Sequence, residues 1–362
     1  MEYLRKVRSK RFKEIDALRG LAVLIMVFSH ALRWVYAGNP VDIIGLFGDH
    51  TPGDIATPMF YLAAGLSLYY SMQSRFIRNA DPTSIWKDYS VRMGKLFLIG
   101  VAMSFTWGVL QAQAISLFLL MWLILSAARI CNFNRLRSFF PGILVLVLTL
   151  HLLLSECSLP FFWEKLLAGK FPLFAIMFIN AAGFYYAPYL RSHSFSTDCT
   201  VLGAGSIAAA LLLAENGTAI ERYGASITFL LLGVGLSVFL LGIFHSRLFQ
   251  KTFFFRCFTL VGKDALFLFV FHYAAFFLPL YFLGLQEKMS PAGALIFSIA
   301  VVVAVIITAV LRRNSNITVY NLLDMIFISI WSTVLSPMLR SSDSLTRRQI
   351  ACPEEAGARL DR

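Results

Sequence analysis

The sequence predicts an all-α fold: a polytopic membrane helix bundle of about 10–11 transmembrane helices with a cytoplasmic N-terminus. Three observations carry that prediction. Of the 362 residues, 58% are hydrophobic and 14% charged, against about 45–50% and ~25% in soluble domains. Mean hydropathy is +0.71. The basic residues fall in short runs between apolar stretches long enough to cross a bilayer. That last pattern also disposes of nucleic acid as the reason for the net charge of +12, since cations between spans set orientation.

The elements follow in order. Arg5, Lys6, Arg8, Lys10, Arg11 and Lys13 make a basic N-terminal segment, residues 1–16, expected in the cytoplasm. A first span over 16–36 is too long and too charged for a cleavable signal peptide. The next loop, 38–53, holds Asp42, Asp49 and His50 but no Lys or Arg, so it lies outside. A span over 54–74 returns to loop 75–95, whose Arg75, Arg78, Lys87, Arg92 and Lys95 belong inside. Further spans are expected at 96–111, 114–130, 139–155, 171–190, 200–214, 225–244, 258–284 and 293–311. They alternate between basic inner loops and outer loops carrying Glu156, Glu164, Glu215 and Glu221. An eleventh apolar stretch, 317–338, contains Asp324 and has arginines on both sides. A further span and a helix lying on the inner face both fit it. The transmembrane domain is therefore 17–338, followed by a polar tail, 339–362, expected to be disordered.

Within this frame the first span carries unusual chemistry. DALRGLAVLIMVFSHALRWVY, 16–36, places Arg19 and His30 eleven residues apart. At ~100° per residue His30 returns beneath Arg19, about 16 Å further along the axis, with Met26 and Arg33 on or near the same stripe. Ionisable residues in a spanning helix face a protein interior or a wet cavity and usually act there. Snorkelling arginines and an interhelical histidine bond are the plainer account of the same residues. In the second span, Asp54 stands at the N-terminal end, where the helix dipole favours a carboxylate, and Pro58, Tyr61 and Gly65 follow at helical spacing. With a short connecting loop, His30, His50 and Asp54 are expected to converge. A carboxylate beside an imidazole suits general-base catalysis; a simple helix cap is the alternative for Asp54. Lys263 and His272 are nine residues apart, on opposite faces of a regular helix, and Asp264 is nearer the His272 face. Of five cysteines only Cys157 is expected outside, so no disulfide is expected, and no metal-spaced cluster occurs.

These motifs resemble a family. EIDALRGLAVLIMVFSH looks like the first-span signature of the transmembrane acyltransferase superfamily, which includes acyltransferase-3 and heparan-α-glucosaminide N-acetyltransferase-like proteins; Asp16, Arg19, Gly20 and His30 carry the match. GDIATPMFYLAAGLSL resembles the second-span signature of the heparan branch through Asp54, Pro58, Phe60 and Gly65. WGVLQAQAISLFLL and LVGKDALFLFVFHY resemble its Gly-Val-Leu-Gln segment and its late aromatic span with a histidine.

The resemblance implies a reaction. An acyl group, usually acetyl, moves from acetyl-CoA at the cytoplasmic side to a hydroxyl or amine of a sugar, free in a glycan or lipid-linked, at the other side. It implies His30, Asp54 and His50 as catalytic candidates, His50 standing closer to Asp54 than its family counterpart does. Arg19, about 16 Å from His30 along the helix, is the candidate for holding the donor phosphates; Arg92, Lys95 and Lys263 are further candidates, with plain inner-side charge the alternative for those three. Arg33, Pro58, Tyr61, Asp264 and His272 are further cavity candidates. Acetyl-CoA enters as a substrate, no metal is expected, and membrane lipids are the remaining partners; self-association is left open. A bacterial inner membrane is the expected location. Transport or flipping of a lipid-linked sugar or small anion is the alternative function. Covalent acyl-histidine and direct transfer require the same residue types.

Overall fold

Apolar residues recur around every face of most segments, which makes them helices buried among helices or lipid rather than amphipathic surface helices. The computed structural model describes residues 12–313 except 47–49, 79, 105–106, 131–132, 159, 193 and 223. The long helices are α1 (Lys13–Val35), α2 (Pro52–Ile77), α3 (Pro82–Met103), α4 (Val109–Ile130), α5 (Phe133–Ser155), α6 (Leu173–Tyr186), α7 (Phe195–Glu215), α8 (Ile227–His245), α9 (Phe253–Lys263), α10 (Ala265–His272) and α11 (Pro291–Arg312). Among the described residues, seven helices are long and apolar enough to cross a membrane: α1, α4, α6 with its 3-10 extension to Arg191, α7, α8, α10 with its continuation to Phe282, and α11. The expectations for residues 1–11, the 317–338 stretch and the tail lie outside the described residues.

Helices α1 and α2 stand at the centre. Helix α1 packs against α2, α8, α9 and α11, and α2 against α1, α6 and α8. Two glycine pairs set the closest crossings. A Cβ on Gly20 would fall onto the Phe258 carbonyl, and one on Gly262 onto the Asp16 carbonyl, so α1 and α9 touch backbone to backbone. Gly65 and Gly183 do the same for α2 and α6 against the Asn180 and Leu62 carbonyls. Small residues let membrane helices approach where no hydrophobic effect drives them together. Near the second crossing, Asn180 donates to the Gln113 and Ser116 side chains at 3.1 and 2.9 Å, tying α6 to α4.

Two sequence expectations are corrected. The span at 96–111 is instead α3, which begins at Pro82 because the Asp81 side chain accepts from the Ser84 N–H at 3.1 Å and Pro82 suits a first turn. The charges of 87–95 are therefore helical, and the chain breaks at Ser104, whose carbonyl accepts from the Gln111 side chain at 2.9 Å. The span at 258–284 divides at Asp264, between α9 and α10, after a glycine and an aspartate that are both poor helix formers. Beyond α10 a π-helical turn, Tyr273–Phe277, leads into Leu278–Phe282. The chain then returns to α1: the Glu287 and Met289 N–H groups donate to the carbonyls of Trp34 and Val35 at 3.0 and 2.7 Å. Those carbonyls are among the groups a helix end leaves without partners, and the contact seats this segment beside His30.

Candidate functional site

Two cavities open at opposite ends of α1. The first, of about 360 Å³, is lined by Met26, Ser29, His30, Arg33 and Trp34 of α1, by Thr51, Gly53, Asp54 and Thr57 at the start of α2, and by the α3–α4 break. Lys170, Arg222, Phe269 and Tyr273 complete it. The second, of about 490 Å³, is lined by Asp16 and Arg19 of α1, Ser67, Tyr70, Arg75 and Arg78 of α2, and Arg191. Among the described residues none lines both. The turns of α1 and α2 that lie between are closed by packed Leu18, Ala22, Leu62 and Leu66.

In the first cavity the start of α2 fixes Asp54. The Thr51 N–H and hydroxyl donate to Asp54 Oδ2 at 2.8 and 3.1 Å, while Oδ1 pairs with the Arg222 guanidinium. Asp54 is thus both a helix cap and half of an ion pair. Its side chain is 5% exposed and that of Arg222 17%. Arg222 also lies over the Phe171 ring at 5.9 Å. His30 has a different partner from the carboxylate the sequence suggested. Its Nδ1 lies 3.2 Å from Nε2 of His272, a fully buried residue of α10. Trp34 and Tyr273 pack around both rings.

The second cavity is basic, with four arginines against one carboxylate. Arg19 donates to the Ser67 hydroxyl at 2.5 Å and stands 3.7 Å from Asp16. Arg75 pairs with Asp88 at 2.7 Å. Arg191 covers the Phe12 and Tyr70 rings, which stack with centroids 4.0 Å apart.

The sequence candidates divide accordingly. The structure brings His30, Arg33 and Asp54 to one cavity and Arg19 to the other. His50 lines neither: its ring meets Phe229 edge-on, and its Nε2 is buried with no hydrogen-bond partner among the described residues. The expected convergence of His30, His50 and Asp54 is corrected in that member, because the His50 ring packs against Phe229 of α8 instead. Arg92, Lys95 and Lys263 also line neither cavity; Arg92 packs against the Tyr89 ring at 5.8 Å. Asp264 faces Arg312 at 3.6 Å. Pro58 and Tyr61 line a small hollow beside the first cavity that shares Thr57, Lys170, Phe171 and Arg222 with it. Sequence reasoning missed Arg222, Lys170, Arg75, Arg78 and Arg191 as site residues. Two of them left a signal: Lys170 and Arg222 are cations in loops that the orientation rule expected to be free of them.

Apolar helices of membrane-spanning length enclosing a buried ion pair and a histidine pair define a polytopic membrane protein with an internal polar site. The family model that matches is heparan-alpha-glucosaminide N-acetyltransferase, catalytic, over residues 11–202. The match covers more than half of the chain, and the protein belongs to this family of membrane acetyltransferases. A comparison with curated proteins finds no significant match. Arg222 and His272 both lie beyond the matched residues.

Proposed function

We propose that the protein transfers an acyl group, acetyl in the simplest case, from acyl-CoA at the cytoplasmic side to a hydroxyl or amine of a sugar at the opposite side. The observation that carries the reading is the pair of cavities on one helix: a basic one at Arg19, and one holding His30 and the Asp54–Arg222 ion pair 16 Å further along by helical rise, roughly. Arg19, Arg75, Arg78 and Arg191 are suited to the phosphates of the donor, because guanidinium groups bind phosphate oxygens through paired, charge-assisted hydrogen bonds. Their place among inner-loop cations supports a cytoplasmic entry for it. The acyl end then passes between α1 and α2 toward His30, which requires the contact of Leu18 and Ala22 with Leu62 and Leu66 to open.

The chemistry at the far end is acid–base. His30 takes the proton from the acceptor O–H or N–H as that atom attacks the thioester carbonyl carbon. The tetrahedral intermediate carries its charge on oxygen, beside the cations of Arg33, Lys170 and Arg222. The C–S bond then breaks, and His30 returns the proton to the departing thiolate sulfur. General-base help of this kind is worth about 10²–10⁴ in rate.

The test is release of thiol from acetyl-CoA by the purified protein in lipid, with a panel of amino-sugar and glycan acceptors, beside His30→Ala. Release that depends on acceptor and is lost in the variant supports the reading. Movement of a lipid-linked sugar without thioester loss would replace it with transport.

A further inference from the structure

We infer that His272 is a positioning residue that holds His30 as its Nδ1–H tautomer, so that Nε2 of His30 is the nitrogen that takes the acceptor's proton. This rests on the reading of His30 as the general base and adds to it which atom acts and what fixes that atom.

The assignment follows from a chain of three groups. Nδ1 of His272 lies 3.3 Å from the carbonyl oxygen of Leu268, four residues back on α10. A carbonyl only accepts, so the proton of a neutral His272 belongs on Nδ1. Its Nε2 is then a bare lone pair, and that nitrogen is 3.2 Å from Nδ1 of His30. A bare nitrogen there must accept, so His30 Nδ1 carries the proton and donates. The opposite order would set the lone pair of His272 Nδ1 against the Leu268 carbonyl oxygen and leave both without a hydrogen. One arrangement satisfies every group, and in it the free lone pair of His30 is on Nε2. His30 lines the first cavity whereas His272 does not and is 0% exposed. The bonded side of the His30 ring therefore points into protein. In a neutral imidazole the hydrogen bond made by one nitrogen decides the state of the other.

The surroundings hold this geometry. Trp34 stacks on His272 with centroids 5.5 Å apart, and Tyr273 meets both imidazoles edge-on at 5.6 and 4.8 Å. The helix changes to π geometry immediately after His272, at Tyr273. Single π turns inside helices are frequent at functional sites, because the extra residue re-aims the side chains beside it. Once His30 has taken a proton on Nε2, its Nδ1–H still donates to His272, so the imidazolium keeps a partner through the transfer.

The experiment uses full-length protein in lipid with ¹⁵N-labelled histidine, and reads the protonation of each ring nitrogen by magnetic resonance; His30→Gln and His272→Gln identify the two rings among six histidines. Wild type is expected to show Nδ1–H and bare Nε2 on both rings, and His272→Phe to show His30 as a mixture of tautomers. Thiol release is read on the same samples. His272→Phe is expected to lower kcat by about 10²–10³, with KM for acetyl-CoA and acceptor within about threefold. His272→Gln, which can offer an amide oxygen near the place of Nε2, is expected to recover to within about tenfold of wild type, the worth of one neutral hydrogen bond. An Nε2–H tautomer of His30 in wild type would overturn the inference. So would His30 signals and kcat that do not change in His272→Phe, or a His272→Gln variant no better than His272→Phe. Expected nitrogen signals in a protein that releases no thiol with any acceptor would sink the acyl-transfer reading and leave the pairing of the two rings standing.

Discussion

Removing the guanidinium of Arg222 should cost more than removing the charge of Asp54, although the two groups form one ion pair. The difference follows from where each partner sits. The Asp54 side chain is 5% exposed and that of Arg222 17%. Arg222→Met leaves a carboxylate inside the protein with, among the described residues, only the Thr51 N–H and hydroxyl as donors. Breaking a buried pair from that side typically costs about 3–5 kcal/mol, because a charge stays behind unpaired. Asp54→Asn leaves an oxygen for Thr51 and takes from the guanidinium its ion pair with Asp54. That cation lines the cavity and covers the Phe171 ring, which still faces it. The loss should be nearer 1–2 kcal/mol, the worth of a hydrogen bond to a charged group. In the double variant neither charge remains, so its cost should fall below the sum by ~1–3 kcal/mol. The assay is reversible unfolding in lipid–detergent micelles against the mole fraction of SDS, run on wild type, both singles and the double. An Asp54→Asn variant as unstable as Arg222→Met would refute the reasoning, as would a coupling below about 0.5 kcal/mol.

Three further outcomes are expected. Gly20→Ala should lower the unfolding temperature, since its Cβ meets the Phe258 carbonyl, whereas Gly205→Ala, with open space around it, should leave it unchanged or slightly raised; thermal unfolding of both in the same lipid decides. Asn180→Leu removes donors from the Gln113 and Ser116 side chains and leaves Gln113 unsatisfied at the α4–α6 contact, a loss of about 1–3 kcal/mol by the same SDS titration. Arg191→Gln should raise KM for acetyl-CoA by about tenfold, one charge-assisted hydrogen bond, with kcat near wild type; an unchanged KM would remove this arginine from the donor site.

What the sequence made legible was whatever rests on one helix. The stripe of α1 is local: eleven residues give three turns, so Arg19 and His30 could be put on one face before any neighbour was known. The structure brings Met26, His30 and Arg33 to one cavity and Arg19 to the next. The capping position of Asp54 is equally local. What was not legible rests on pairs far apart in the chain. His30 meets His272 across 242 positions, and Asp54 meets Arg222 across 168. Neither periodicity nor spacing carries such a pairing, and the carboxylate at the start of the next span, Asp54, was the natural partner to assume for His30. The division at Asp264 was hidden for another reason. Residues 258–284 are apolar enough to read as one span, and the glycine there is needed for the contact with the Asp16 carbonyl, a demand made by α1.

That contact bears on the reaction as well as on the fold. A single helix carries both ends of the proposed site, so its axial position sets the donor-binding arginine and the histidine together. Helix α1 is fixed at two heights. Near Arg19, Gly20 and Gly262 seat it against α9 with no room for a side chain. Beyond His30, the N–H groups of Glu287 and Met289 hold the Trp34 and Val35 carbonyls. A slip by one turn would move every α1 residue by about 5.4 Å, break the two backbone bonds, put a Cβ where Gly20 now lies, and separate His30 from His272. Each of these is unfavourable alone, and they oppose the same motion. If the acyl end reaches His30 by an opening between α1 and α2, it is therefore α2, joined to α1 by side-chain packing around Leu62 and Leu66 and seated on α6 through Gly65 and Gly183, that has to yield together with α6, while the histidine pair stays in register.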